Sequence, residues 1–395
     1  MGTDLTAVIM TGGGGHTPVE RLVARAREAI TRDTVDKLLQ VEPVECIIVA
    51  TDSPALASTL AACTRQGDRS VIVDIDPPGE PFHFGHRLSQ ILADHDIERC
   101  LYIGGGSGPL LTIEQWGEIA LALADAEKTV IANNFYSTDF AAWTPARALE
   151  RASLPDTDNE LAWVLHFDAG LPVQTLPRSA ATQLDVDTPT DLMTLSLHPN
   201  CGPHTRQYLE GLNLDTNSLE QVLDALMDRE AEVFVAGRVS AAAAAYLQAE
   251  ALCRKRILVE ERSMRASGRQ ERGEVRSLLG ALVADRGPWG FFDTLSQMGQ
   301  ALILDSRVIL AHRRSWPPAA DRFYSDLRQP EQIEDPFLQE FTTAALEAPM
   351  PIVLGGHSLV SGGLWALVDA AWSRVEGDVP RRAEEPTPAS GQVSK

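Results

Sequence analysis

The chain has 395 residues, 44% hydrophobic and 23% charged, with a formal net charge of −21. This composition excludes general disorder, and the length suits two domains with a core each. The acidic balance excludes sequence-independent binding to nucleic acid or an anionic membrane, because both need a basic face.

The predicted elements alternate along the first half. Short apolar runs at Ala7–Met10, Cys46–Thr51, Ser70–Ile75, Cys100–Ile103, Thr129–Ala132 and Val173–Leu176 read as strands. Helical stretches lie between them at Val19–Gln40, Pro54–Gln66, Gly85–His95, Ile113–Ala126 and Asn159–Ala169. Continuous apolar strands separated by helices predict a doubly wound α/β domain with a mostly parallel sheet, over residues 1–198. Pro199, Cys201, Gly202 and Pro203 mark a linker over 199–215. A second, smaller α/β pattern follows over 216–377. Its strands are Glu232–Ala236, Arg256–Glu260, an apolar pair at Ala301–Leu304 and Val308–Ala311, and Ile352–Leu354. Its helices are Ser240–Arg254, Val275–Ala284, Phe291–Met298, Pro336–Ala348 and Gly363–Arg374. The polar tail, 378–395, reads as disordered. Five dispersed cysteines without a Cys-x-x-Cys pair predict a reducing, cytoplasmic setting and no zinc site. Met1-Gly2-Thr3-Asp4 lacks a basic n-region, so no signal peptide is expected, and no apolar run is long enough to span a bilayer.

Three segments fall where strands of the first domain end. The first is Thr11-Gly12-Gly13-Gly14-Gly15-His16, behind the opening strand. Consecutive glycines leave backbone N–H groups uncovered, which suits a phosphate cradle, though glycine runs also make plain tight turns. The second is Gly104-Gly105-Gly106-Ser107-Gly108-Pro109-Leu110-Leu111, and the third is Asp185-Val186-Asp187-Thr188-Pro189-Thr190-Asp191-Leu192. Ligands of open α/β sheets bind at the carboxyl ends of strands, so the three are expected to meet. Asp185 and Asp187 share a side of an extended chain and can hold Mg²⁺ against phosphate oxygens. The same run also reads as a helix start, with Thr188 or Asp187 as N-cap and Pro189 at the first position.

Other polar residues are ambiguous. His86 and Arg87 can bind an anion at a helix start, or His83 and His86 can be structural loop histidines. Asn133 and Asn134 can line an acceptor pocket or simply turn the chain. Asp158 reads best as a helix cap. In the second half, Arg262, Arg265 and Arg269 surround a Ser/Gly turn and can hold a phosphate or carboxylate, or can form a solvated basic loop. Gly355-Gly356-His357-Ser358 is another glycine-rich strand-to-helix turn, a candidate second site that Asp305, Arg307 and His312 border. It lacks the closing glycine of a Gly-x-Ser-x-Gly elbow.

The ordered segments resemble the nucleotidyltransferases of the molybdenum-cofactor guanylyltransferase and phospholactate guanylyltransferase kind, over about residues 5–195. Met10–Gly15 looks like that family's Leu-Ala-Gly-Gly-x-Gly loop. Arg25-Ala26-Arg27-Glu28-Ala29-Ile30 looks like its Arg-Pro-Lys-Ala-Leu. Gly106–Leu111 resembles its Gly-Asp-x-Pro-Leu-Leu, and Asp185–Leu192 its Asp-Ile-Asp-Thr-Pro-Glu-Asp-Leu. The resemblance implies a GT-A-type, Rossmann-like fold. It implies transfer of a nucleoside monophosphate from an NTP to a small phosphorylated or anionic acceptor, with Mg²⁺ and release of pyrophosphate. Gly12, Gly13, Gly14, Gly15, Arg87, Gly106, Ser107 and Asn133 would then bind substrate. Arg27 and Asp187 would be catalytic, and Asp185 and Asp187 would hold the metal. Two positions depart: Arg27 replaces a lysine, and Ser107 replaces the family's metal-binding Asp. The alternative is therefore a diverged nucleotide-binding sensor or scaffold that regulates the second domain. A Rossmann dehydrogenase is disfavoured, because Thr17 stands where its third glycine or alanine belongs.

Overall fold

The computed structural model describes residues 5–12, 14–61, 65–66, 69–77 and 82–375. The first domain runs β1 (Leu5–Thr11), α1 (Pro18–Leu38), β2 (Val44–Thr51), α2 (Pro54–Ala61), β3 (Arg65–Gln66), β4 (Arg69–Ile75), α3 (Phe84–Asp94), β5 (Arg99–Gly104) and α4 (Ile113–Ala124). It continues through β6 (Thr129–Ala132), β7 (Phe140–Thr144), α5 (Leu161–Phe167), β8 (Val173–Thr175), α6 (Ala180–Gln183) and α7 (Pro189–Leu197). The sheet order is β3-β4-β2-β1-β5-β7-β6-β8. At its centre β1 is parallel to both neighbours, with Ile9 beside Val49 and Ile103. Helices cover both faces, so alternate β1 residues enter different cores. Ile9 packs with Val23 and Ile30 of α1, and Val8 packs with Leu88 and Ile91 of α3. That two-sided burial is why β1 is apolar throughout. The fold is the doubly wound, Rossmann-like α/β arrangement expected from the alternation.

Two strands escape the sequence pattern: β3, at the end of the expected helix Pro54–Gln66, where α2 stops at Ala61 and the chain pairs antiparallel with β4, and β7. β7 pairs antiparallel with β5 and β6. Its Phe140-Ala-Ala-Trp-Thr is short and alanine-rich, yet every residue is buried. Its burial comes from the strands that flank it on both sides rather than from a local apolar signal.

After α8 (Pro203–Glu210), whose Leu209 joins the first domain's core, the second domain comprises α9 (Asn217–Met227), β9 (Glu232–Gly237), α10 (Ala241–Glu250), β10 (Arg254–Val259), α11 (Leu278–Ser296) and β11 (Ala301–Asp305). It ends with α12 (Arg307–His312), α13 (Ala319–Asp326), α14 (Pro336–Leu346), β12 (Ile352–Gly355) and α15 (Gly362–Arg374). Its four strands are parallel, in the order β10-β9-β11-β12. Three expectations differ. The segment 199–215, expected as a linker, carries α8, because Asp33 of α1 accepts hydrogen bonds from the amides of His204 (2.8 Å) and Thr205 (2.9 Å) and so caps that helix. Val308–Ala311 is helical, not a strand; a four-residue apolar run has no period that separates the two. The helices expected at Val275–Ala284 and Phe291–Met298 are joined as α11 across a kink at Gly287 and Pro288. The polar tail from 378 lies outside the described residues.

The two domains make specific contacts. Thr190 Oγ1 donates to the Leu354 carbonyl (2.7 Å), and Ser358 Oγ donates to Asp191 Oδ2 (2.8 Å). Gly362 lies so close to the Gln183 carbonyl that a Cβ would collide with it. Phe323 of α13 joins the first domain's core. The turn that follows β12 in the second sheet therefore abuts the Asp187–Asp191 segment of the first domain.

Candidate functional site

The glycine loop leaves β1 at Gly12 and enters α1 at Thr17. Gly13 lies outside the described residues. Gly15 has φ of 65°, and a side chain there would strike Glu20, so this position requires glycine. Thr17 and Glu20 form a capping box: the Glu20 carboxylate accepts from the amides of His16 (3.1 Å) and Thr17 (2.9 Å). A phosphate at this loop therefore meets its amides beside a carboxylate. The backbone at Gly12 and Gly14 is exposed.

The other two segments come together beside it. Gly105 packs directly on Thr11 at the end of β1, where any side chain would clash. Val186 N donates to the Gly106 carbonyl (3.1 Å), and Ser107 Oγ donates to Asp185 Oδ1 (3.1 Å). A Cβ on Gly106 would fall 3.1 Å from Asp185 Oδ1 and 3.3 Å from Arg27 Nε, so glycine allows these groups to close in. Arg27 donates from Nε to the Val186 carbonyl (2.8 Å) and pairs through Nη2 with Asp187 Oδ1 (2.6 Å). The Asp-Thr-Pro-Thr-Asp run is also the helix start it resembles. Asp191 Oδ2 accepts from the Asp187 amide, the Thr188 amide and the Thr188 hydroxyl.

Two carboxylates not singled out for chemistry join this group. Asp139 precedes β7, and Asn133 donates to it through Nδ2 (2.7 Å). Asp158 accepts from the Tyr102 hydroxyl (3.0 Å). Burial, and then the charge of Asp158, pushes Asp139 up to about 8. Burial and Asp187 push Asp158 up to about 6. Burial, Asp187 and Asp139 raise Asp185 well above the carboxylate range, with Arg27 opposing. Four carboxylates thus crowd one site with little positive charge to balance them. The sequence hid two of them, because Asp139 sits beside the unrecognised strand and Asp158 resembled a cap.

The donor set suits a hard cation. Among the described residues no three His, Cys, Asp or Glu side chains converge as they would around an ion held by protein alone. Mg²⁺ does not require that, since it takes one or two carboxylates and completes its shell with water and phosphate. Asp139, Asp158 and the interdomain Asp191, itself pushed to about 7 by burial and then Asp187, share one consequence. Their folded-state values lie above those of an unfolded chain, so the folded protein holds protons that the unfolded chain releases. Stability therefore falls as pH rises from about 5 to about 8. We expect the melting temperature without metal to decline across this range, and Mg²⁺ to raise it most at the alkaline end. Asp139→Asn should flatten the upper part of the decline. A melting temperature that ignores both pH and Mg²⁺ would contradict the assignment.

The remaining predicted residues divide. Arg87 is buried, and its guanidinium is committed to Asp74 and Asp76 (2.8 Å each). Asn133 is buried beneath the site and orients Asp139. Arg269 is paired with Glu261 (2.8 Å), whereas Arg265 is exposed and makes no ion pair among the described residues. Gly356 packs against Thr188, and Ser358 is bonded to Asp191, so the second glycine turn adjoins the first site instead of forming a remote one. His357 is solvent-accessible yet closely surrounded by protein. Burial and then the charge of Arg238 push it down to about 4, so it is neutral at pH 7. Arg238 and Arg307 are consumed by Asp305 and Asp326. A shallow hollow of about 370 Å³ at Trp289, Pro330 and Gln339 is lined by none of these residues.

No family model matches the chain, and no curated protein matches it. Several solved structures are similar to about half of it. A CMP-2-keto-3-deoxy-manno-octonic acid synthetase complexed with CTP is 15% identical, with a TM-score of 0.34, covering 48% of this chain and 95% of its own. A cytidylyltransferase from Leptospira borgpetersenii is 14% identical, with a TM-score of 0.36, covering 49% and 85%. The 4-diphosphocytidyl-2C-methyl-D-erythritol synthase of Anaerococcus prevotii is 16% identical, with a TM-score of 0.35, covering 48% and 93%. No helix among the described residues is long and apolar enough to cross a membrane.

Proposed function

We propose that the chain is a Mg²⁺-dependent nucleotidyltransferase that moves a nucleoside monophosphate from an NTP to a small phosphorylated acceptor. The observation that carries this reading is the junction of Gly106, Ser107, Asp185, Asp187 and Arg27 beside the glycine loop at the end of β1. Exposed glycine amides suit the nucleotide phosphates. Arg27 is poised to exchange part of its contact with Asp187 for a phosphate oxygen. Asp185 is the carboxylate best placed to hold Mg²⁺, with Asp158 and Asp187 near it, which shifts the weight from Ser107 to its partner. Bound Mg²⁺ would neutralise charge on the reacting phosphates. In the transfer, an acceptor phosphate oxygen bonds to the α-phosphorus, the α–β bridging bond breaks, and pyrophosphate leaves with its electrons. The attacking oxygen is already anionic, so no general base is required.

The test is pyrophosphate release from GTP, CTP, ATP and UTP, with and without Mg²⁺, over a panel of small phosphorylated acceptors. Release that depends on Mg²⁺ is the expected result. No release, together with no thermal shift by any nucleotide, would overturn it. One observation favours a second reading, a nucleotide sensor: Asp191 bonds both Thr188 at the site and Ser358 of the second domain. Nucleotide binding without release would select it.

A further inference from the structure

The first half of the chain carries a balance of −15, and its site is crowded with carboxylates, yet the proposed substrates are anions. Most of the positive charge at the junction is already neutralised. Arg27 pairs with Asp187, Arg238 with Asp305, and Arg307 with Asp326. Within the 260–273 loop, Arg269 pairs with Glu261, and Arg272 with Glu274 just beyond it.

Among the second-domain arginines without an ion pair to a described residue, three lie on this loop and on α13. Arg262 and Arg265, three residues apart on that loop, are exposed and have no ion pair among the described residues. Arg322, in α13, donates through Nε to the Pro317 carbonyl (3.1 Å), with its guanidinium 4.7 Å from the centre of the Trp316 ring. Among the described residues no carboxylate forms an ion pair with it. The acidic groups within its electrostatic reach are Asp326, bound to Arg307, and Glu20, bound to the amides of His16 and Thr17. Burial, and then the like charge of Arg307, lowers Arg322 to about 10, so it is still a cation at pH 7.

Their placement follows from the docking of the domains. Glu20, within electrostatic reach of Arg322, stands in the first turn of α1, directly after the glycine loop, and Arg265 is likewise within reach of Arg322. Both Arg262 and Asp187 act electrostatically on His357. The arginine loop leaves the carboxyl end of β10, on the same edge of the second sheet as the turn after β12 that reaches Asp191, and α13, which carries Arg322, sets Phe323 into the first domain's core.

We propose that Arg262, Arg265 and Arg322 of the second domain bind phosphate oxygens of a substrate held against the first domain's glycine loop and carboxylates. This rests on the nucleotidyltransferase reading and gives the second domain a role in it. The chemistry recognised is a phosphomonoester or polyphosphate, supplied either by the NTP tail or by the acceptor. Arginine suits it because a planar guanidinium can present two N–H donors to adjacent phosphate oxygens.

The experiment titrates the full chain with inorganic pyrophosphate, with each NTP, and with inorganic phosphate after saturation by an NTP. Affinities are compared in the parent protein, R262Q/R265Q and R322Q. The loop substitutions are exposed, so the double variant tests the site without burdening the core. We expect pyrophosphate or phosphate affinity to fall about tenfold or more in the double variant, the scale of a lost charge-assisted contact. A parallel loss of NTP affinity assigns the site to the triphosphate. A loss confined to phosphate added after the NTP assigns it to the acceptor. Unchanged affinity for every anion in both variants overturns the proposal. Binding is read without turnover. Arginine-dependent pyrophosphate binding in a chain that releases none from NTP would keep this inference and remove the transferase reading.

Discussion

Asp185→Asn is expected to lower nucleotidyl transfer by about 10²- to 10³-fold, the scale seen when a charge-stabilising group is removed from an active site. Asparagine keeps the size of the side chain and can still accept from Ser107 Oγ, so the local fold should survive. What disappears is one negative charge from a site that also contains Asp139, Asp158 and Asp187. Without metal, the variant should therefore melt higher than the parent at about pH 8, because a repelling carboxylate has gone. Loss of transfer with gain of stability is the signature of a charge kept for chemistry; a structural residue would lose both. Pyrophosphate release and thermal unfolding at the same pH check the pair. Unchanged transfer would take the cation site away from Asp185.

Arg307→Met should destabilise the protein by about 3–5 kcal/mol, the usual consequence of removing one partner of a buried ion pair. Arg307 and Asp326 are both buried. Their two contacts, Nη1 to Oδ1 (2.7 Å) and Nη2 to Oδ2 (2.6 Å), make a two-pronged pair. Nη1 also reaches the Gly355 carbonyl (3.2 Å), where β12 turns toward Ser358 and Asp191. Methionine leaves the Asp326 carboxylate in a dry place without the cation paired to it. R307M/D326L, which removes both charges, should recover much of the loss, since burying no charge at all is cheaper than burying one alone. Urea unfolding of the three proteins measures the difference. A loss below about 1 kcal/mol in the single variant would show that water reaches Asp326.

The local features of this chain were legible. Apolar runs of four to six residues located the parallel strands, because a strand covered on both faces has no polar side to display. Thr188, Pro189 and Asp191 in the first turn marked the start of α7, and in the structure the Asp191 side chain closes the cap on Thr188. Three segments were suspected of sharing a site because ligand loops of such sheets gather at the carboxyl ends of strands. The fold puts Gly105 on Thr11, and Gly106 against Asp185.

Other features had no local signature. Asp139 and Asp158 are 19 positions apart in the sequence, and no spacing rule joins them. They meet because β7 inserts antiparallel beside β5, bringing the Asp139 carbonyl to the Gly104 amide (3.0 Å). Arg87 looked available beside a helix start, yet Asp74 and Asp76 at the end of β4 enclose it.

Sequence alone determined the alternation of strands and helices, the glycine turns and the helix caps, since these depend on hydrophobic period and on backbone groups a few residues away. Tertiary structure decided which charges face one another. Arg27 meets Asp187 across 160 positions, and Ser358 meets Asp191 across 167. Coulomb energy and desolvation depend on distance in space and on access to water, and neither can be read from order along the chain. The same physics separates the arginines: Arg269 and Arg307 are spent on carboxylates, while Arg262, Arg265 and Arg322 have no carboxylate paired with them among the described residues.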